Sequence, residues 1–235
     1  MLEIRNLYAG YGKSKVLFDV NLMAPEKRIT VVVGPNGAGK TTLLKSIVGL
    51  ATIHSGNITY MGEDITGLPT HRVTRMGISF VPQTENIFSN LSVRENLIMA
   101  GYLLSKTERE EKIKELLELF PVLKDFVNRK AGTLSGGERR MLAIAMGLMR
   151  SPKMLLLDEM TTDLAPIIVK RVLEKLLELR DELGVTLLMV EQAARRALEI
   201  ADRAYLLVSG EIKFEGKGSE LLHEPEFARK YLGII

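Results

Sequence analysis

The chain contains no cysteine, no tryptophan and only three histidines, and just 6% of its residues are aromatic. Without cysteine there is no thiolate nucleophile, no disulfide and no zinc–thiolate site. His54, His71 and His223 show no metal-ligand spacing and are expected on the surface or in loops. No apolar run approaches the ~18 residues of a membrane-spanning helix. The first ten residues, MLEIRNLYAG, lack the basic-then-apolar plan of a signal peptide. The expected location is cytoplasmic, which leaves docking onto a membrane partner open. Neither sign of charge dominates, since 32 Lys+Arg against 29 Asp+Glu give +3. Basic residues alternate with acidic ones and no aromatic stacking platform accompanies them, so no direct contact with nucleic acid is expected.

What is present is an ordinary globular balance, 46% hydrophobic and 26% charged over 235 residues, enough for one or two domains. Leu2 to about Met23 reads as short strands with turns at Gly10 and Gly12. Ile29–Val33 is a β-branched run suited to a strand buried on both faces. Ile78–Val81, Met154–Leu157, Thr186–Val190 and Tyr205–Val208 follow the same pattern. Strands alternating with helices imply a mostly parallel sheet. From about Ser92 to Arg150 the chain reads as mostly helical. Thr107 with Glu110 has the spacing of a capping box, and Ile113, Leu116, Leu117 and Phe120 share one helical face. Pro166 opens a further helix with its stripe at Val169, Val172, Leu173, Leu176 and Leu177. The tail from His223 to Ile235 is expected to form a terminal helix.

Gly34-Pro35-Asn36-Gly37-Ala38-Gly39-Lys40-Thr41 has the form GxxxxGK[ST] and lies between a predicted strand and a predicted helix that continues through Thr42. The glycines let backbone N–H groups wrap phosphates, and the helix start adds its positive end. Lys40 would reach the β- and γ-phosphates, and the Thr41 hydroxyl would ligate Mg²⁺. Met154–Leu157 then delivers Asp158 and Glu159 to the sheet edge where open α/β sheets bind ligands. Asp158 can hold Mg²⁺ through its water shell, and Glu159 can accept a hydrogen bond from an attacking water. Taken alone, two acids at a strand end are equally a cap. Paired with the phosphate loop they imply in-line phosphoryl transfer to water. Leu134-Ser135-Gly136-Gly137-Glu138 precedes the helix Arg139–Arg150 and offers a second anion-binding helix start, or simply a helix capped by Ser135. Arg139 and Arg140 are expected to line the surface of that helix.

With this third segment the chain resembles, over essentially its whole length, the ATP-binding subunits of ABC transporters. Tyr11 stands where that family stacks an aromatic ring on adenine. Gln83, after Pro82, stands at the loop that touches Mg²⁺ or the attacking water and faces the membrane subunit. Gln192 occupies the switch position, where most members have His. The resemblance implies one ABC ATPase domain over 1–235. Its α/β nucleotide-binding core, with a mostly parallel sheet and an N-terminal antiparallel β-subdomain, would occupy about 1–88 and 151–235, and an inserted helical subdomain about 89–150. It also implies a head-to-tail dimer in which Ser135 and Gly137 of one subunit meet the ATP held by the other. Polytopic permease subunits would be the membrane partners, contacted by Gln83 and the surface around Phe88, Leu91 and Glu95, and the location would be the cytoplasmic face of the membrane. Leu164-Ala165-Pro166-Ile167-Ile168, Glu118-Leu119-Phe120-Pro121, Ala131-Gly132-Thr133, Val190-Glu191-Gln192 and Tyr231-Leu232-Gly233 are similar to the LivF-type ATPases of branched-chain amino acid importers. Urea-import and lipopolysaccharide-export ATPases are broadly similar too. The sequence departs from the wider family at Met160, where Pro is common, and at Thr162-Asp163-Leu164-Ala165, which replaces Ser-Ala-Leu-Asp.

Overall fold

In a computed structural model, residues 1–84, 86–192 and 194–223 are described. The elements run β1 (Leu2–Tyr11), β2 (Ser14–Ala24), β3 (Ile29–Val33), α1 (Lys40–Ile47), β4 (Thr52–Tyr60), β5 (Glu63–Asp64), α2 (Thr70–Arg75) and β6 (Ile78–Val81). They continue with α3 (Val93–Ala100), α4 (Lys106–Leu119), α5 (Pro121–Lys124), α6 (Gly136–Leu148), β7 (Met154–Asp158), α7 (Pro166–Asp181), β8 (Thr186–Glu191), α8 (Ala194–Glu199), β9 (Arg203–Val208), β10 (Glu211–Gly216) and α9 (Gly218–Leu222). The terminal helix expected over His223–Ile235 lies, past His223, outside the described residues.

Two sheets organise these elements: an antiparallel one ordered β2-β1-β4-β5 and a six-stranded one ordered β10-β9-β3-β8-β7-β6. In the larger sheet β9, β3, β8, β7 and β6 run parallel, and β10 pairs antiparallel with β9. The continuous apolar runs of β3, β7 and β8 follow from burial on both faces. Ile29, Val31, Val33, Leu155, Leu157, Leu187 and Met189 point into the core shared with α6 and α7. Val32, Leu156, Leu188 and Val190 point the other way, into the core shared with α1 and the antiparallel sheet. Tyr205 on β9 ties the two sheets together, because its buried hydroxyl accepts from Met23 N–H at 2.9 Å and donates to Met23 O at 3.2 Å.

The N-terminal strands are longer than the sequence pattern suggests. Gly10 lies inside β1, and the chain turns at Gly12–Lys13. A Cβ at Gly10 would come within 1.9 Å of Ser14 O, so the glycine serves close pairing with β2 rather than the turn. The capping box of α4 also differs from expectation. Ser105 caps, and Glu108 returns the bond at 2.9 Å, two residues earlier than Thr107 with Glu110. Ile113, Leu116 and Phe120 are buried on α4 and its C-cap with Leu117 half-buried, and Val169, Val172, Leu173 and Leu176 are buried on α7 with Leu177 half-buried.

Candidate active site

The parallel strands β3, β8, β7 and β6 are neighbours in the sheet, so their C-terminal ends open on one edge. There β3 leads into the Gly34–Thr42 segment, β7 ends at Asp158 before Glu159, β8 ends at Glu191 before Gln192, and β6 leads through Pro82 to Gln83. Four stretches far apart in sequence therefore meet at the ligand-binding edge of an open α/β sheet.

The loop between β3 and α1 is shaped by glycine where backbone crowds. A Cβ at Gly34 would lie 2.0 Å from Leu207 O. Gly39 caps α1 with φ 104, and a Cβ there would come within 2.7 Å of the Leu17 side chain. The start of α1 has no side-chain cap and no acidic residue in its first turn, so its N–H groups and positive end remain for an anion. Lys40 is 4% exposed, and its ammonium donates to Gly34 O at 2.9 Å and Pro35 O at 3.1 Å.

The acids lie directly opposite. Thr41 Oγ1 donates to Asp158 Oδ1 at 3.0 Å. Burial raises the Asp158 carboxyl above its ordinary value, and the Thr41 hydrogen bond opposes that rise. Glu159 is 8% exposed and sits 3.3 Å from the Lys40 ammonium. Its other oxygen accepts from Gln83 Nε2 at 2.9 Å and from Thr162 Oγ1 at 3.3 Å. Glu159 has φ 48, a left-handed conformation that an L side chain holds only when its surroundings enforce it. Lys40, Thr41, Gln83, Asp158 and Glu159 thus form one cluster. Tyr11 lies beside α1: its ring is 45% exposed, its hydroxyl is 3.5 Å from the Thr42 hydroxyl, and Lys45 Nζ stands 5.9 Å from the ring centre.

Ser135 caps α6. Its hydroxyl accepts from Glu138 N–H, and the Glu138 carboxylate accepts from Ser135 N–H at 2.7 Å. A Cβ at Gly137 would meet Ile168 Cγ2 at 2.5 Å, so glycine lets the start of α6 lie close to α7. Leu134 is buried, and its carbonyl accepts from Arg139 at 3.1 Å. Gln192 is exposed, one residue past the end of β8. Met160 is fully buried in the core. Asp163 has φ 62, a backbone state that Asp tolerates better than most residues.

Sequence reasoning missed two participants. Arg140 is half-buried rather than a surface lining and donates to Gln83 O at 2.5 Å. Glu191 is fully buried; its carboxylate accepts from Thr161 N–H at 3.0 Å and from Thr161 Oγ1 at 2.7 Å. Burial pushes this carboxyl up to about 7, against the pull of the two Thr161 bonds. The available signal was an acid closing an apolar strand, the same pattern that marked Asp158.

A glycine-rich loop that joins a strand to an uncapped helix start and faces a strand-end Asp-Glu pair on a mostly parallel sheet is the arrangement of a P-loop nucleoside triphosphatase. The ABC transporter family model matches residues 17–162, and the chain belongs to this family of ATPases coupled to transport. A probable branched-chain amino acid transport ATP-binding protein LivF from Archaeoglobus fulgidus is 50% identical over 235 residues, all of both chains. The high-affinity branched-chain amino acid transport ATP-binding protein BraG from Pseudomonas aeruginosa is 44% identical, over 99% of this chain and 100% of that one. The lipopolysaccharide export ATP-binding protein LptB from Escherichia coli is 38% identical, over 99% and 97%. Among solved structures, an ATP-binding cassette of an ABC transporter in its ADP conformation superposes with a TM-score of 0.89 at 28% identity, covering 97% of each chain. A dimeric cassette in a post-hydrolysis state bound to ADP and Pi gives 0.81 at 28% identity, covering 92% of this chain and 98% of that one.

Proposed function

We propose that this chain hydrolyses ATP to power uptake of branched-chain amino acids through a membrane permease. The observation that carries the hydrolytic part is the single cluster of Lys40, Glu159 and Gln83 beside the Thr41–Asp158 pair. The Gly34–Thr42 backbone and the start of α1 receive the phosphates, and Lys40 exchanges the Gly34 and Pro35 carbonyls for β- and γ-phosphate oxygens. Tyr11 offers its exposed ring to adenine. Glu159 accepts a hydrogen bond from the attacking water, whose oxygen bonds to the γ-phosphorus as the bond to the β–γ bridging oxygen breaks. ADP leaves with that electron pair. Gln83 and Gln192 orient the reacting groups.

The residues fit Mg²⁺. Two hard oxygens, Thr41 Oγ1 and Asp158 Oδ1, already share one hydrogen bond, and Mg²⁺ commonly takes one or two protein oxygens and fills its shell with waters and phosphate. When bound, the ion supplies charge neutralisation at the β- and γ-phosphates. Thr41 would hold it directly, with Asp158 and Gln83 acting on its water shell.

Leu134–Glu138 lies on a different element from the phosphate loop, and we assign Ser135 and Gly137 to the ATP of a second ATPase subunit. A dimeric relative of similar fold supports that assignment. No helix among the described residues is long and apolar enough to cross a membrane, so transport needs polytopic permease subunits. We assign their docking to the Gln83 side of the molecule, on the cytoplasmic membrane face. Phe88 there is 50% exposed, which argues against simple packing for that ring, whereas Leu91 is half-buried. The α/β parts, about 1–88 and 151–235, and the helical part, about 89–150, would act as the two moving units of one domain. The importer relatives at 50% and 44% identity favour amino-acid cargo. The lipopolysaccharide-export relative at 38% is the second reading. ATPase assays of the chain reconstituted with its permease decide between them. Stimulation by a leucine-loaded binding protein supports import, and stimulation by lipopolysaccharide instead overturns it.

A further inference from the structure

We propose that Glu191, through Thr161, is a positioning residue that aims Glu159 at the nucleotide. The inference rests on the hydrolytic role assigned to Glu159.

Two consecutive residues at the end of β8 grip the loop that follows β7. Val190 O accepts from Glu159 N–H at 2.9 Å. The two carboxylate oxygens of Glu191 accept separately from Thr161 N–H and Thr161 Oγ1. Between the gripped residues, Met160 is anchored in the core at 0% exposure. Thr162 closes the turn by donating to the Glu159 carboxylate. These bonds fix the turn on both sides of Glu159, whose φ of 48 is unfavourable without such support.

Glu191 is itself fully buried and cannot touch substrate, so it is not a catalytic group. A buried carboxyl is costly unless hydrogen-bonded. Its place here is explained by the two donors of Thr161, which an apolar residue could not hold. A carboxylate bonded in two places also fixes orientation, which a single bond leaves free. Arg140 adds a second support, since it bonds Gln83 O while Gln83 Nε2 bonds Glu159.

The test uses the full chain and Mg-ATP. Steady-state hydrolysis and direct ATP binding are measured for the parent, E191A, E191Q, T161V, T161S and, as a control, E159Q. The expected result is a fall in kcat of roughly 10–100-fold for E191A and about 3–10-fold for T161V, the scale of a misplaced reacting group. KM and ATP affinity should stay within about twofold, because the phosphate loop is untouched. E191Q and T161S, which keep a hydrogen-bonding partner in place, should recover kcat to within about threefold of the parent. T161V leaves the buried carboxyl and the Thr161 N–H bond in place, so the test survives poor folding of E191A. Parental kcat in both E191A and T161V overturns the inference. So does loss of kcat and ATP affinity together, with no recovery in E191Q and T161S, which marks a merely structural role. If E159Q kept parental turnover, the hydrolytic reading would fail and the inference with it. A dead E159Q beside fully active E191A and T161V would overturn the inference alone.

Discussion

Glu191 also makes a thermodynamic prediction that does not depend on nucleotide. Its carboxyl is pushed from an ordinary 4.5 up to about 7 by burial, with the nearby Glu159 carboxylate pushing in the same direction. The Thr161 bonds and the Arg140 guanidinium pull the other way. Between about pH 4.5 and 7 the folded state therefore binds more protons than the unfolded state. Stability from this group falls as pH rises through that window, and the full penalty is present above pH 7. At 1.36 kcal/mol per pH unit, the ionised group costs the folded state about 3 kcal/mol at pH 8 and under about 1 kcal/mol at pH 5. E191Q removes the titration while keeping the size of the side chain. Urea unfolding of parent and E191Q at pH 5 and pH 8 isolates the effect, because a pH-independent change in hydrogen bonding cancels in the comparison. The stability of E191Q relative to the parent should improve by about 2–3 kcal/mol on going from pH 5 to pH 8. An unchanged difference at the two pH values would show that Glu191 titrates normally, and the account of its environment would be wrong.

Other outcomes follow from the same geometry. S135R should block ATP-dependent dimerisation on a sizing column yet leave ATP binding by the monomer intact, because Ser135 bonds Glu138 rather than the phosphate loop; loss of monomer binding would refute the shared site. Q192A should lower kcat by roughly 10–100-fold if the amide donates a charge-assisted bond to the γ-phosphate. Q192H should restore activity with a new pH dependence near about 6.5, and parental kcat in Q192A would reduce Gln192 to a strand-end cap.

The phosphate loop and the strand-end acids were legible because each is encoded in contiguous residues. The runs Ile29–Val33 and Met154–Leu157 could be read as doubly buried strands because both faces of the sheet are covered, so apolar side chains fill them but for the β-branched Thr30. The α4 cap was misplaced because Ser105-x-x-Glu108 and Thr107-x-x-Glu110 both have the capping pattern, and only the preceding turn at Gly101–Leu104 selects the first. Strand β4 escaped notice because its pairing is set by tertiary contact. Gly56 has φ 95 in mid-strand, and a Cβ there would come 2.4 Å from Asn6 O on β1. The acid closing β8 marks Glu191 only as a strand-end carboxylate; the bonds of Arg140 and Glu191 were not legible, because their partners Gln83 and Thr161 lie 57 and 30 residues away and no local pattern announces such bonds.

The central claim is that Glu159 polarises the attacking water while nucleotide binding rests on other groups, chiefly the Gly34–Thr42 loop. It is tested most directly by E159Q, which keeps the size of the side chain and its hydrogen-bonding reach to Gln83 and Thr162. ATP affinity and single-turnover hydrolysis should be measured on the same preparation. The account predicts near-parental affinity, turnover lower by roughly two decades or more, and an ATP-trapped dimer on a sizing column. Parental turnover in E159Q would contradict it.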